Sequence, residues 1–544
     1  MFSESKKEIL IISSAHKKLF YWFVFLFLSS LVAISFWIFS RFTVDDAFIT
    51  WRYGKNIVDA GIWGYNPTGF DLTQAYTNPI YAALGIIPHF LGIDIVLFFK
   101  VFSVILVSGF AVWFSKRTGA TIFVMLLYAV PATFIHAFSG LETFLYVILV
   151  TSLFIFLVED KFWPVIFCCL ILFMTRPESW AFLVLVPMFY FLPKTLDGTP
   201  KILNTKDFLG QVLNVRSYNY RSGFLAIVLL AVPMSVYFYF HKVHFGYVLP
   251  NTFYIKSGGQ FSPFSFVYFF LAAMPIIGLL ITLKIRAFIV ALCFFGAVIL
   301  SYSTSSLAMN YIDRFAFHIL VPSYLILVYL AARVFRGHFY LSLDNIFNRF
   351  YKVSFGAIAF SFAVIWLSVF GMKNLAPDAL VHIANYYPRA LDSHAAIGKA
   401  IKTDSSGYNF NSMSFGDAGM TAYHSGISSL DNIGLGSALV AHSGMSAETI
   451  SAYNPELIVF HARPDEIRLG DFNQELLYSW GKSYEYEHVC QVFWKPDYTL
   501  NIYSKYELDA VKEVCTSSKD LNDIKDKEYF LKNGLMPPWN YWKT

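Results

Sequence analysis

Residues 45–67 read DDAFITWRYGKNIVDAGIWGYNP: a polar stretch opened by two adjacent carboxylates, Asp45 and Asp46, inside an otherwise apolar chain. It lies a few residues beyond an apolar run from about Leu19 to Phe39. A run of about 20 apolar residues is long enough to cross a bilayer core as a helix. Lys6, Lys7, Lys17 and Lys18 precede the run, and no small-residue cleavage site follows it. It therefore reads as a retained signal-anchor rather than a cleaved leader. Ionisable groups so close to a membrane are costly to desolvate and are functional candidates by default. The plainer reading is a solvated loop that follows a span.

The composition agrees with a membrane body. The chain has 544 residues, 56% hydrophobic and 19% aromatic, with only 14% charged and a mean hydropathy of +0.53. Soluble domains carry about 25% charged residues. The net charge of +5 is small for this length. With no basic run or basic helix face, it gives no reason to expect nucleic acid as a partner.

Further apolar segments lie near 95–114, 119–135, 140–158, 161–174, 178–193, 223–243, 263–283, 287–303, 315–332 and 352–372. Positive charge orients them. Lys116, Arg117, Lys161, the loop from Lys194 to Arg221, Lys284, Arg286 and the loop from Arg333 to Lys352 are assigned to the cytoplasmic side. The alternate loops (HAFSGLE, TRPE, the Asn251–Gln260 stretch and MNYIDR) are charge-poor and face outside. With a basic N-terminus inside, the stretch 77–91, which holds Pro79, Pro88 and His89, cannot cross. It reads as an interfacial or re-entrant helix. The expected fold is a mainly α, polytopic transmembrane bundle of about 11 spans with a C-terminal soluble α/β domain. The bundle takes residues 1–372 and the extracytoplasmic domain 373–544.

In that domain, Ser412–Phe415 and Glu456–Phe460 read as strands. Ala395–Ile401 and Pro464–Leu469 read as helices. Of five cysteines, Cys168, Cys169 and Cys293 fall in spans and read as small apolar packing residues. Cys490 and Cys515 fall outside, where an oxidising compartment makes a disulfide plausible.

The outside loops collect the unusual polar residues: Asp45, Asp46 and Arg52; Glu142; Arg176 and Glu178; Asn251, Tyr254 and Lys256; Asp313 and Arg314. Taken singly, each reads as a charge reaching for water. Their convergence on one end of one bundle points to a site for an anionic lipid head group.

The ordered set DDAFITWRYGKNIVDAGIWGYNP, QAYTNPIYA, SGLET, TRPES, LPNTFYIK, DRFAFHILVP and SFGDAGMTAYHSGISSLDNIGL resembles integral-membrane glycosyltransferases of the GT-C superfamily. It is most similar to the branch typified by the mycobacterial terminal β-arabinofuranosyltransferase. The resemblance implies a multi-pass protein of the bacterial inner membrane. It implies inverting transfer from a polyprenyl-phosphate sugar donor to an envelope glycan, lipid or protein acceptor among the membrane lipids. Such a transfer needs a base near the acceptor hydroxyl, an assistance worth about 10²–10⁴-fold. Asp45 is assigned that role with Asp46 as its helper, the order within the pair being left open. Lys256, Arg176 and Arg314 are the cations for the departing phosphate. Arg52, Glu142, Glu178, Asn251 and Tyr254 are the candidates for positioning substrate. No cofactor is required. A divalent cation shared by the Asp pair and the donor phosphate stays open, and no protein metal-ligand set is assigned. The competing functions are a transporter or flippase of a lipid-linked envelope precursor, and a non-catalytic envelope or flagellar assembly protein. A transporter places its polar groups near the bilayer midplane, often in repeated halves, and neither feature is visible here.

Overall fold

The computed structural model describes residues 25–118, 121–197, 219–256, 259–305, 310–334, 380, 383–384 and, apart from 404–409, 464–465, 468, 470–472, 496–497 and 507, residues 387–524. The chain is mainly helical, with a small mixed sheet near its C-terminus. Five helices are long and apolar enough to cross a membrane: Ile95–Thr118, Tyr220–Phe245, Pro263–Ile281, Ile285–Ser303 and Tyr311–Arg333. A sixth is counted if Pro131–Phe138 and Thr143–Val158, bent by 110°, make one span. This is the architecture of a multi-pass membrane protein.

The helices used below are α1 Phe25–Phe39, α2 Asp45–Ala60, α3 Pro79–Leu84, α4 Ile86–Leu91, α5 Ile95–Thr118, α6 Thr121–Ala129, α7 Pro131–Phe138, α8 Thr143–Val158, α9 Phe162–Phe173, α10 Phe182–Phe191, α11 Tyr220–Phe245, α12 Asn251–Lys256, α13 Pro263–Ala273, α14 Ile277–Ile281, α15 Ile285–Ser303 and α16 Arg314–Val334. Their cores follow from sequence. α8 is apolar almost throughout and buried on nearly every face, as a helix inside a bundle must be. α11 instead exposes Phe224, Val232, Val236 and Tyr239, a surface suited to lipid. The run expected as one span at 119–135 is broken between α6 and α7 by Pro131, which occupies the first turn of α7. α7 and α8 then turn sharply through Ser139–Glu142, where Gly140 adopts φ +83°. Residues 77–91 form two short helices, α3 and α4, rather than a span. α9 and α10 are shorter than a usual span, and the expected crossing at 352–372 lies outside the described residues. Cys168 and Cys169 are buried as expected, but Cys293 is exposed on α15.

Polar clamps close the bundle at both ends. At the ends of α5, α8 and α16, Arg117 pairs with Glu159, whose carboxylate also accepts Tyr329, which Arg333 contacts in turn. Asp160 meets Lys194 and Arg286, and Arg286 binds Asp197 at 3.0 Å. At the opposite ends of α8 and α16 stand Glu142 and Arg314, bonded to each other. The 16 residues of α8 separate these tiers by about 24 Å. The residues assigned to inside and outside loops thus fall at two different ends.

The C-terminal part contains α17 Tyr387–Thr403, β1 Ser412–Phe415, α18 Met420–Ser425, β2 Ser428–Asp431, α19 Ala438–Ser443, α20 Ala447–Tyr453, β3 Leu457–Arg463, β4 Glu466–Ile467, α21 Gln474–Ser483, β5 Glu487–Lys495, β6 Tyr498–Ser504 and α22 Asp509–Ile524. The sheet order is β2-β1-β3-β6-β5. β1 is parallel to β2 and β3, while β6 runs antiparallel to β3 and β5. Both expected strands are present, as is the helix over Ala395–Ile401. Pro464–Leu469 is not the expected helix. Glu466 and Ile467 instead fold back as β4 onto Arg463 and Ala462, using the free edge of β3 at that point. Cys490 and Cys515 form a disulfide linking β5 to α22.

Leu430, Ile450, Ile458, Phe460, Leu477 and Trp480 form a core within this part, and a second cluster is shared with the residues around α2. Ile49, Tyr53, Tyr65, Ala75 and Tyr76 pack in one buried cluster with Ile397, Met413, Phe415, Val459 and Leu500. The tyrosines at 53, 65 and 76 are therefore interior residues. The Tyr65 hydroxyl donates to the Ala418 carbonyl at 2.6 Å.

Candidate functional site

α2 carries the acidic pair at its first turn, where carboxylates favour the helix dipole. The two side chains have different surroundings. Asp45 is 8% exposed, and its carboxylate accepts the Gly419 and Met420 amides at 3.0 and 2.7 Å. It thus caps α18 from another part of the chain. Burial, then the neighbouring charge of Asp417, pushes its carboxyl up to about 8, against the pull of the Met420 amide. A Cβ on residue 419 would sit under 3.0 Å from the Asp45 carbonyl and carboxylate, so this contact requires glycine. Asp46 is partly exposed, and among the described residues its side chain has no hydrogen bond or ion pair.

Asp71 repeats the device. Its carboxylate accepts the Ala438 and Leu439 amides at 3.1 and 3.2 Å and the Ser437 hydroxyl at 2.6 Å, at the start of α19. Arg52 is 1% exposed and donates to the Tyr65 carbonyl at 2.6 Å and to the Ile427 carbonyl. Asn251 is buried and donates to the Gly434 carbonyl at 3.2 Å. Arg52 and Asn251, expected to position substrate, are held in the seam between the membrane body and the sheet.

The second group is an ion network. Arg176 donates to Glu142 at 2.6 Å and grips both oxygens of Glu178 at 2.7 and 3.1 Å. Arg314 reaches Glu142 at 3.1 Å and Thr143 at 3.0 Å. Asn78 donates to the other Glu142 oxygen and accepts from Thr50 at 3.1 Å. Glu142 is 1% exposed and the two arginines 6% and 7%. Two cations and two carboxylates leave the network with no net charge. Buried charges persist only when paired and hydrogen-bonded, and these are. Of the cations assigned to the donor phosphate, Arg176 is held by Glu142 and Glu178, and Arg314 by Glu142.

Lys256, at the end of α12, differs. It is half-buried, and among the described residues its side chain has no hydrogen bond or ion pair. Burial lowers its affinity for a proton, while the charge of Asp46 works in the other direction. Arg314, Arg176 and Glu142 also act on it, so Lys256 stands beside the neutral network with Asp46. Tyr254, on the same short helix, is 36% exposed and its ring lies 4.5 Å from that of His442.

Lys100 was not singled out from sequence. It is 3% exposed on α5 and donates to the carbonyls of Phe42 and Phe138, which immediately precede the acidic pair and the Glu142 turn. A lysine within an apolar helix was the signal available. Among the described residues, no three His, Cys, Asp or Glu side chains converge to hold a metal ion. Each oxygen of Asp45 accepts one amide donor. No family model matches the chain, and no curated protein is similar to it.

Proposed function

We propose that this chain is an integral-membrane glycosyltransferase. It moves a sugar from a polyprenyl-phosphate donor to an envelope glycan, lipid or protein acceptor, with inversion, at the outer face of a bacterial inner membrane. The observation that carries this reading is that Asp46 and Lys256 lie within electrostatic reach of each other. They are a carboxylate and an ammonium without fixed partners among the described residues, set beside a buried, charge-balanced network at one end of an apolar bundle. The motif resemblance to the GT-C superfamily supports the same reading.

Asp46 is the base in this account, in place of Asp45, whose carboxylate is committed to α18. Asp46 takes the proton of an acceptor hydroxyl as that oxygen attacks the anomeric carbon. The bond between that carbon and the phosphate oxygen breaks, and polyprenyl phosphate leaves with the electron pair. Lys256 offsets the charge that develops on the phosphate. Arg176 and Arg314, restrained by Glu142 and Glu178, add to the local field and fix the network. No step is routed through a metal ion.

The orientation belongs to the same proposal. Lys116, Arg117, Lys161, Lys194, Lys284, Arg286 and Arg333 lie towards the tier opposite Asp46, and a lysine- and arginine-rich end marks the cytoplasmic side. α16 ends at that tier, whereas Tyr387 stands beside Asp45. About 11 crossings and an outside C-terminal domain are part of this proposal. The test is transfer by purified protein offered a panel of polyprenyl-phosphate sugars. Product formation that depends on Asp46 supports the reading, and no turnover of any donor by intact protein contradicts it.

A further inference from the structure

In sheets of parallel strands flanked by helices, ligands bind in the crevice outside the carboxyl ends of the strands. Here β2, β1 and β3 are mutually parallel neighbours. Their carboxyl ends carry Asp431, Asp417 and His461. Asp431 is fully buried and accepts the Ile433 and Gly436 amides at 2.9 and 2.7 Å, so it shapes its own turn. Asp417 is different. Its side chain is 26% exposed. His461, 1% exposed on β3, meets its Oδ2 at 2.9 Å, and His394 of α17 lies 3.7 Å from the same oxygen. Two buried imidazoles thus brace a carboxylate that itself reaches the surface.

This edge of the sheet sits against the acidic pair. Asp417 is two residues from Gly419, whose amide binds Asp45. Consecutive Cα atoms are about 3.8 Å apart, so little chain separates Asp417 from the start of α2. The Tyr387 hydroxyl, which accepts the Asp45 amide at 3.2 Å, lies within electrostatic reach of Asp45, Asp46 and Asp417 together.

We propose that Asp417 is the acceptor-binding carboxylate of the site: supplied by the C-terminal domain and braced by His461, it receives hydroxyls of a saccharide acceptor and presents one of them to Asp46. This rests on the glycosyltransferase reading and narrows its acceptor from glycan, lipid or protein to glycan. An ionised carboxylate accepts hydroxyl donors at more than one position, which suits a ring bearing several hydroxyls. Asp417 binds and positions the acceptor, while the proton transfer stays with Asp46.

The experiment uses the full chain and has two readouts. The first is steady-state transfer together with donor hydrolysis, in which water replaces the acceptor. Asp417→Asn should raise the acceptor KM about tenfold or more, the scale of a lost hydrogen bond to a charged group. Donor KM and donor hydrolysis should stay within about twofold of wild type, which also shows that the variant is folded. His461→Gln keeps an N–H donor for Asp417 and should fall between wild type and Asp417→Asn. An unchanged acceptor KM, or an equal loss of donor hydrolysis, overturns the proposal. The second readout is direct binding of short neutral galactan, mannan, arabinan and rhamnan fragments, followed by saturation-transfer NMR. Binding by wild type that Asp417→Asn abolishes supports the site even if no donor is turned over, in which case only the transferase reading fails. Binding of none of these fragments overturns the assignment of a glycan acceptor.

Discussion

Asp45 and Gly419, 374 residues apart in sequence, are joined by a 3.0 Å hydrogen bond from the glycine amide to the aspartate carboxylate. With the adjacent Met420 amide, this contact seats the C-terminal domain on the first turn of α2. One member of the acidic pair therefore holds the domain, while the other, Asp46, is partly exposed. Asp71, at the start of α19, makes a second seat of the same kind.

Asp45→Ala and Gly419→Ala should each loosen this seat. Loss of a capping acceptor costs about 0.5–2 kcal/mol. Gly419→Ala should cost at least as much, because its methyl group would collide with Asp45. Limited proteolysis and amide exchange over 412–431 check this. Unchanged protection in both variants would show that the contact does not hold the domain.

The burial of Asp45 at this contact, with the charge of Asp417, sets a pH dependence. The Asp45 carboxyl is raised from an ordinary 3.8 to about 8 in the folded chain. Between those limits the folded form keeps a proton that the unfolded form has released. Its stabilising contribution is complete below about pH 4 and is lost as pH rises through about 8. Thermal unfolding in detergent should show stability falling over that window. Asp45→Asn, which does not titrate, should flatten the slope.

Glu142→Gln removes the carboxylate shared by Arg176 and Arg314. Breaking one partner of a buried pair costs about 3–5 kcal/mol. Lys194→Glu acts on an exposed pair with Asp160 at the other tier and should change stability by less than about 1 kcal/mol. Comparable losses in the two variants would mean that the Glu142 network is not closed as described.

Lys256→Glu should raise the donor KM by about tenfold or more, on the scale of a lost charged contact. Lys194→Glu should leave it unchanged. Orientation has its own check. A reporter active only outside the cytoplasm should be silent when fused after Val334 and active when fused after Tyr387. The reverse pattern would overturn the outer-face site.

Much of this architecture is legible in the sequence because it is local. Apolar runs mark α5, α11 and α15, a short apolar run marks β3, and the turn residues Gly416–Gly419 mark the end of β1. The lysine and arginine pattern separates Arg117, Lys194, Arg286 and Arg333 from Glu142, Arg176 and Arg314. The rest depends on distant partners. Nothing near Asp45 indicates that its acceptors are filled by the amides of residues 419 and 420. Nothing in TRPE shows that Arg176 is shared between Glu142 and Glu178. β4 is not legible in the sequence because a two-residue strand exists only through its pairing with β3.

The central claim is that Asp46 is the base of a polyprenyl-phosphate-dependent transfer. Its most direct test compares wild type, Asp45→Asn and Asp46→Asn for sugar transfer from the donor that wild type accepts, with folding confirmed for each. The account predicts a loss of about 10²-fold or more in kcat for Asp46→Asn, with Asp45→Asn losing domain stability before turnover. Full turnover by Asp46→Asn, with activity abolished in a folded Asp45→Asn, would contradict it.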